Sequence, residues 1–334
     1  MAQIVEHSLQ REFHKPDILQ TLKRFAVSQI VLLNYRKRWG LIYSFATLAG
    51  ILCMPGIIFG AGENSGHVFG LATIIISLPL GSFMIIVGMY VMNDLIDSDL
   101  DRTNGKSRPI PAGIVTKGQA CIFVSLTNIF GVSLCFIGSD MTGAMISLGL
   151  VAIGIMYSVP KLCFKDRFVV KTLAIAVAMM LCVVMGSSSL WVTANVETTT
   201  SYDQIIHTIY IAIMLGCMVF ITSPFNDIAD IKGDLAAGRK TIPIVIGAEN
   251  TVKLGIFIAA SMIVASWLIF SLTPTGWIMP LLVSAVSALT MVIMYKTLRR
   301  LSDRDYVRKQ HKKSMPLHLM VQLALVVGAL AFWL

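Results

Sequence analysis

The sequence has few charged residues and few cysteines, and both shortages exclude classes of protein. Asp, Glu, Lys and Arg make up 13% of the 334 residues, well below the roughly 25% of an ordinary soluble domain. The six cysteines stand singly, without a CxxC pair or a Cys/His cluster, so neither a disulfide framework nor a zinc site is indicated. No low-complexity tract or Gly/Ser linker separates further domains, and residues 1–35 lack the apolar core of a cleavable signal peptide.

Long apolar runs are present instead. Hydrophobic residues make up 56% of the chain and the mean hydropathy is +0.76, which predicts an integral membrane protein. A helix of roughly 20 residues crosses the hydrocarbon core. Nine apolar blocks suit this length: Gly40–Gly60, Val68–Met92, Ala120–Gly138, Met141–Val159, Phe168–Trp191, His207–Phe225, Leu254–Leu272, Gly276–Tyr295 and Pro316–Leu334.

The blocks lack the period of two of barrel strands, and a lone strand cannot satisfy its backbone in lipid, so we predict helices. The expected fold is all-α, a bundle of nine transmembrane helices forming a single domain over residues 40–334. Residues 1–39 form a basic cytoplasmic segment, in which the apolar spacing after Ile18 predicts a short helix on the membrane surface.

Two acidic stretches each end an apolar block and share one spacing. NDLIDSDLD begins at Asn93 and NDIADIKGD at Asn226, and both read N-D-x-x-D-x-x-x-D. In a continuing helix the first, fifth and ninth residues share a face, where like charges repel unless a cation intervenes. Such oxygen ligands favour Mg²⁺, which binds through a few carboxylates together with substrate phosphates. The predicted metal ligands are Asn93, Asp94, Asp97, Asp101, Asn226, Asp227, Asp230 and Asp234.

Basic residues follow both acidic stretches, and an Ile-Pro pair comes next in each case. Because Lys and Arg neutralise phosphoryl oxygens, they supply the other half of a diphosphate site. We predict as diphosphate ligands Lys106, Arg108, Lys161, Arg239 and Lys240, whereas Lys117, Lys165 and Arg167 fit residues that only set topology. The repeated order of apolar block, acids, basic turn and Ile-Pro indicates a pseudo-repeat of four helices plus a ninth, which would make the two stretches face each other.

Lys and Arg are absent from every second connection between the blocks. Residues 61–67, 139–140, 192–206 and 273–275 contain none, and the alternate segments contain all 27. The positive-inside rule then predicts that the N-terminus and both acidic stretches are cytoplasmic and that the C-terminus is outside. Because this alternation accounts for the net charge of +9, no nucleic-acid partner is expected.

The segments NDLIDSDLD, SRPIPAG, YSVPK and NDIADIKGDLAAGRKTIP together resemble the signature loops of the UbiA superfamily of intramembrane prenyltransferases. The resemblance extends from about Trp39 to Gly247 and to the nine-span layout. It implies that both acidic stretches bind Mg²⁺ and a polyprenyl diphosphate beneath a cytoplasmic cap formed by the loops after helices 2 and 6. It implies the catalytic residues Asp97, Asp101, Asp230, Asp234, Tyr157 and Lys161, the last two matching a Y-x-x-x-K pattern.

The acceptor and the outcome of the reaction stay open at this point. A lipophilic acceptor and membrane lipid are implied as partners. The acceptor could be a glycerol-phosphate lipid, a large hydrophobic ring or a quinone-precursor aromatic, and IKGDLAAGRKTIPIVIG resembles members that use lipid or large hydrophobic acceptors. A terpene cyclase would use the same site. A cation-coupled transporter could also use paired carboxylates, although its acids belong near the midplane rather than beside basic turns.

Overall fold

The computed structural model describes residues 18–53, 65–103, 107–193, 202–273 and 276–333, which contain helices and turns and no strand. This confirms the predicted all-α class. One 3₁₀ turn, Phe164–Asp166, lies among ten α-helices. The helices are α1 Ile18–Leu52, α2 Ser65–Ile96, α3 Ser98–Thr103, α4 Lys117–Ser158, α5 Val170–Thr193, α6 Tyr202–Ala236, α7 Ile242–Ile246, α8 Ala248–Leu272, α9 Ile278–Leu298 and α10 Arg304–Trp333.

Seven helices of the described residues are long and apolar enough to cross a membrane: α2, α4, α5, α6, α8, α9 and α10. The protein is therefore an integral, multi-pass membrane protein. The first predicted span, Gly40–Gly60, lies partly outside the described residues. Its described part belongs to α1, which begins at Ile18 and continues to Leu52 without a break. The expected surface helix is thus the first half of this long helix and not a separate element.

Helix α4 is broken in its middle. Ser139 has φ −154° and ψ 30°, and Asp140 has φ 47° and ψ −142°, both non-helical. An unbroken helix of its 42 residues would be about 63 Å long, twice the roughly 30 Å of a hydrocarbon core. The break falls in the predicted connection 139–140, so the two legs correspond to the predicted third and fourth blocks.

The long helices form a closed ring. Neighbours in the order α1, α2, α4, α5, α6, α8, α9 and α10 pack on one another, and α10 returns to pack on both α1 and α6. Small residues allow close approach at the α1–α5 crossing, where a Cβ on Gly50 would collide with the carbonyl oxygen of Val183 and one on Gly186 with that of Thr47. Such small-residue contacts are how membrane helices gain packing energy without a hydrophobic driving force.

A smaller apolar cluster fastens the loop between α3 and α4 to the bundle. Ile110 and Val115 from this loop are buried against Val87 and Val91 of α2 and Leu32 of α1. The loop then ends in a capping box, in which Thr116 and the third helical residue exchange hydrogen bonds at the start of α4. Ile110, Val115 and the capping box fix the part of the loop that follows Arg108, and the ion pair of Arg108 with Asp94 places it beside the end of α2.

Candidate active site

The first acidic stretch stays helical as it leaves α2. The amide of Asp97 donates to the carbonyl of Asn93 at 3.0 Å, and the amide of Asp101 donates to the carbonyl of Asp97 at 2.8 Å. This i to i−4 pattern spans the single turn residue between α2 and α3. The predicted helical register is confirmed, and Asn93, Asp97 and Asp101 lie on one face.

Two arginines bind Asp94, which borders this face, and one of them also binds Asp101. Arg36 of α1 donates from Nε to Asp94 Oδ2 at 2.6 Å and also contacts Oδ1 through Nη2. Arg108 Nη1 bridges Asp94 Oδ1 at 2.8 Å and Asp101 Oδ2 at 2.6 Å. Although burial disfavours the charged guanidinium, hydrogen bonding and attraction to Asp94 raise the pKa of Arg36 above its ordinary value. Asp94 is therefore neutralised from two sides.

Lys165 is the basic partner of Asp97, the third acid of the first stretch that lies within the site. Its Nζ lies 2.6 Å from Asp97 Oδ1 and 3.3 Å from Asn93 Oδ1. Ser158 Oγ donates to the same Asn93 oxygen at 3.4 Å. Only 9% of the Lys165 side chain is exposed, so this lysine, assigned to topology by the sequence pattern, in fact lies inside the site.

The second acidic stretch is part of α6, and each of its three carboxylates also faces a cation. Lys171 of α5 lies 2.6 Å from Asp227 Oδ1, and Arg239 Nη1 lies 3.4 Å from Asp234 Oδ1. Asp230, half exposed, contacts two arginines of α10. Asn226, predicted as a metal ligand, is exposed.

The short turn after α4 joins the two acidic stretches. Lys165 contacts the first stretch. Oδ1 of its neighbour Asp166 lies 3.0 Å from Arg239 Nε in an ion pair, and the Asp166 carbonyl accepts the backbone amide of Lys240 at 3.0 Å. Attraction to Asp166, Asp234 and Asp97 outweighs burial, which opposes the charge, and raises the pKa of Arg239. Lys165 of this 3₁₀ turn therefore contacts the first stretch, and Asp166 reaches the second stretch through Arg239, which contacts Asp234.

An apolar cavity of about 110 Å³ begins beside Asn93 and enters the bundle. Its polar lining consists of Asn93, Ser158 and three tyrosines, among them the predicted Tyr157. The remaining lining residues are apolar: Ile86, Met89, Leu150, Ile153, Gly154, Ala174, Ile175 and Ala178. A hydrocarbon chain bound in this cavity would have its polar end at the first acidic stretch.

The structure brings together most, but not all, of the predicted residues. Lys161 lies exposed on the turn after α4, and Lys240 is exposed and contributes its backbone amide. Lys106 lies outside the described residues. Sequence reasoning missed six residues of the site: Arg36, Lys165, Asp166, Lys171, Arg304 and Arg308. Their only signal was a charge on the cytoplasmic side, which many residues share.

The donor atoms suit a hard cation. They are carboxylate and amide oxygens, and among the described residues no three His, Cys, Asp or Glu side chains converge to hold a metal by themselves. Mg²⁺ does not need such a cluster, because it retains waters and completes its octahedron with substrate phosphates. The residues present therefore fit Mg²⁺ bound jointly with a diphosphate.

Comparison with known proteins gives the same family at the level of sequence and of fold. The model of the UbiA prenyltransferase family matches residues 49–320. Digeranylgeranylglyceryl phosphate synthase of Thermococcus sibiricus is 27% identical over 269 residues, covering 79% of this chain and 88% of the relative.

Two solved structures share the fold. One, of digeranylgeranylglyceryl phosphate synthase, has a TM-score of 0.66 at 17% identity, covering 92% of this chain and 99% of that chain. The other, a UbiA homologue from Archaeoglobus fulgidus bound to GPP and Mg²⁺, has a TM-score of 0.56 at 18% identity and covers 90% and 99%. Because the model of the UbiA prenyltransferase family matches most of its length, the chain belongs to the UbiA prenyltransferase family.

Proposed function

We propose that this prenyltransferase moves a polyprenyl group, such as geranylgeranyl, from its diphosphate to the hydroxyl of a glycerol-phosphate lipid in a Mg²⁺-dependent reaction. The allylic C–O bond to the diphosphate breaks and an ether C–O bond forms. Diphosphate leaves and the hydroxyl gives up its proton. The observation that supports this most directly is the turn Lys165–Asp166 at the mouth of an apolar cavity. Lys165 contacts Asp97 of the first stretch, and Asp166 contacts Arg239, the partner of Asp234 in the second.

The acidic stretches would hold the metal and the donor. We propose as metal ligands Asn93, Asp97 and Asp101 from the first stretch and Asp230 and Asp234 from the second. When bound, Mg²⁺ supplies Lewis-acid stabilisation of the leaving diphosphate. The fold neighbour whose structure contains GPP and Mg²⁺ supports this pairing of donor and ion.

Basic residues that now neutralise carboxylates would contact the diphosphate. Lys165 and Arg108 lie within 2.6 Å of first-stretch carboxylates, and Arg239 lies between Asp166 and Asp234. Once the carboxylates bind metal, these cations are available for phosphoryl oxygens, where charge develops as the C–O bond breaks. Tyr157 lines the cavity beside Asn93, at the position where the allylic carbon would lie.

The cavity would hold the prenyl chain and exclude water. Its lining is apolar except near the first acidic stretch, so an allylic cation formed there would meet an acceptor rather than bulk water. The acceptor class is supported by the relatives, which are named digeranylgeranylglyceryl phosphate synthases. Such an acceptor offers one hydroxyl and one phosphate at the membrane surface.

We further propose nine membrane crossings with the N-terminus and both acidic stretches in the cytoplasm and the C-terminus outside. The two legs of α4 would each cross once, and the second half of α1 would supply the first crossing. The loop that carries Arg108 and the segment that carries Arg239 and Lys240 would form the cytoplasmic cap. The alternation of Lys and Arg between connections supports this orientation.

A transfer assay with matched variants tests the proposal. Purified protein in lipid nanodiscs is given geranylgeranyl diphosphate, Mg²⁺ and geranylgeranylglyceryl phosphate, and the ether product and released diphosphate are measured. Asp97→Ala and Asp234→Ala should abolish transfer. Asp99→Ala should keep it, since Asp99 lies in the same stretch but is 75% exposed and contacts only the exposed Lys117 in the described residues.

Three results would contradict the proposal. Full transfer by either Asp97→Ala or Asp234→Ala would remove the two-stretch site. Mg²⁺-dependent diphosphate release that yields a hydrocarbon with no acceptor present would instead make the protein a cyclase. Flux of Na⁺ or H⁺ in liposomes without any diphosphate release would indicate a transporter.

A further inference from the structure

Two arginines on the last helix lie against the second acidic stretch but outside the cluster assigned to the donor. Arg304 Nη2 lies 3.7 Å and Arg308 Nη2 3.3 Å from Asp230 Oδ1. Arg304 also donates from Nε to the carbonyl of Ala229 at 2.5 Å. The two residues are one helical turn apart on α10, so they form a fork directed at the end of α6.

These contacts with Asp230 do little for stability. Both arginines and Asp230 are about 49% exposed, and exposed ion pairs contribute about 0–1 kcal/mol. Two guanidinium groups on one carboxylate also leave a net positive charge beside the reacting centre. A pair of arginines arranged in this way suits a second anion, because guanidinium binds phosphate oxygens in a bidentate geometry.

The donor already has its own cations. Lys165 and Arg108 contact the first stretch, and Arg239 contacts Asp234. Asp230 and Asp234 are four residues apart, which places them about 5–6 Å from each other on one helix face. Arg304 and Arg308 are therefore separate from the cations proposed for the donor and lie next to Asp230, a proposed metal ligand, as required of groups that bind the second substrate beside the donor.

An apolar groove lies farther along α10, toward the C-terminal end of the helix. Arg304 and Gln322 are eighteen residues apart, as are Arg308 and Val326, and eighteen residues are five helical turns, about 27 Å. Gln322 and Val326 line a groove of about 170 Å³ between α10 and α1, with Phe45, Leu48, Ala49, Leu52, Leu319 and Leu323. A lipid whose phosphate lies on the fork would extend its chain toward this apolar part of α10.

We propose that Arg304 and Arg308 bind the phosphate monoester of the acceptor lipid and so select an anionic acceptor. This inference rests on the proposed acceptor class. The fork holds the phosphate next to Asp230, and the glycerol hydroxyl of the same molecule then lies within reach of the donor carbon. An acceptor without a phosphate loses this anchor and is used poorly.

Steady-state kinetics and direct binding together test the fork. Arg304→Gln and Arg308→Gln are compared with Lys313→Gln, which removes one charge from the same helix but lies nine residues, or half a turn in projection, from Arg304. Each arginine variant should raise the KM for geranylgeranylglyceryl phosphate about tenfold, the value of one charge-assisted hydrogen bond. The KM for the donor and the KM for the dephosphorylated acceptor should stay unchanged. Arg308→Lys should recover part of the loss.

Binding of the acceptor is measured calorimetrically in zwitterionic and in anionic nanodiscs. Loss of phosphate-dependent binding in the double variant supports the fork, and equal binding by wild type and double variant overturns it. Equal loss of activity with both acceptors, or an effect of the variants seen only with anionic bilayer lipid, also overturns it. If wild type transfers to no glycerol-phosphate lipid, the proposed function fails, while the binding comparison still decides whether the two arginines hold a phosphate monoester.

Discussion

Replacement of Lys165 by Met separates the role of the turn after α4 from that of the surrounding basic residues. The Nζ lies 2.6 Å from Asp97, and the two side chains are 9% and 14% exposed. Removing one partner of such an enclosed pair leaves a carboxylate without its counter-ion, which costs about 3–5 kcal/mol. At about 2 °C for each kcal/mol in a chain of this size, Tm should fall by roughly 6–10 °C without Mg²⁺.

The same substitution should affect donor binding, and Mg²⁺ should reverse part of the instability. When the ion and a diphosphate are present, Asp97 has another cation, so the difference in Tm should shrink. The donor loses one charge-assisted hydrogen bond, which is worth about 1.5–3 kcal/mol, and its Kd should rise at least tenfold. Thermal unfolding in detergent and donor binding are measured with and without Mg²⁺. Lys117→Met is the control, since its pair with Asp99 is exposed.

Two outcomes would refute this reasoning. The first is a change in Tm and donor affinity for Lys165→Met that is no larger than the change for Lys117→Met. This result would mean that the buried pair contributes neither to stability nor to donor binding. Alternatively, Lys161→Met could weaken donor binding while Lys165→Met does not. That result would show that Lys161, the lysine of the Y-x-x-x-K pattern, binds the diphosphate despite its exposed position.

Two further predictions concern packing and a thiol. Gly186→Ala should destabilise the protein by about 1–3 kcal/mol through overpacking at the α1–α5 crossing, which is measured as a lower Tm. Gly149→Ala is the control and should leave Tm unchanged, because its added Cβ meets only one side-chain atom at 3.9 Å. Equal Tm values for the two variants would contradict close packing at the crossing. Burial and a neighbouring carboxylate raise the pKa of the Cys163 thiol to about 11. Because the thiolate is the nucleophile, alkylation of a variant that keeps only this cysteine should accelerate about tenfold per pH unit and still rise at pH 10, and a plateau near pH 9 would be contrary evidence.

The parts of the fold that follow from local pattern were predictable from the sequence. The lengths of the apolar blocks predicted the long helices. The break in α4 falls at Ser139 and Asp140, where the sequence predicted a connection. The N-D-x-x-D-x-x-x-D spacing gave the shared face of Asn93 and Asp97, because helical geometry fixes which residues are neighbours. Each of these depends on residues close together in the chain.

The partners of the acids were not predictable, because they depend on how distant segments meet. Lys161 and Lys165 are both basic and both follow Tyr157, and only the 3₁₀ turn decides which of them enters the site. A left-handed residue, Cys163 at φ 40°, precedes that turn and sets its direction. Likewise, Arg36 reaches Asp94 because α1 continues as one helix past the predicted surface segment. Neither the position of Lys165 nor the contact of Arg36 with Asp94 can be predicted from sequence spacing.

The Asp of the Asn-Asp pair at the start of each acidic stretch has a different environment from the acids that follow it. Asp94 and Asp227 occupy the same place in the two stretches, and both are nearly buried, with side chains 4% and 5% exposed. Each is neutralised by a cation from a neighbouring long helix, Arg36 of α1 and Lys171 of α5. Breaking such a pair to free a carboxylate for metal would leave a buried charge, so these two acids favour a positioning role. We infer that they fix the rotation of α2 and α6 about their axes, so that the acids one turn later, beginning with Asp97, would be directed toward the diphosphate of the proposed donor. The common spacing thus encodes an anchor followed by ligands, and the twofold occurrence of that order makes the stretches act as one site.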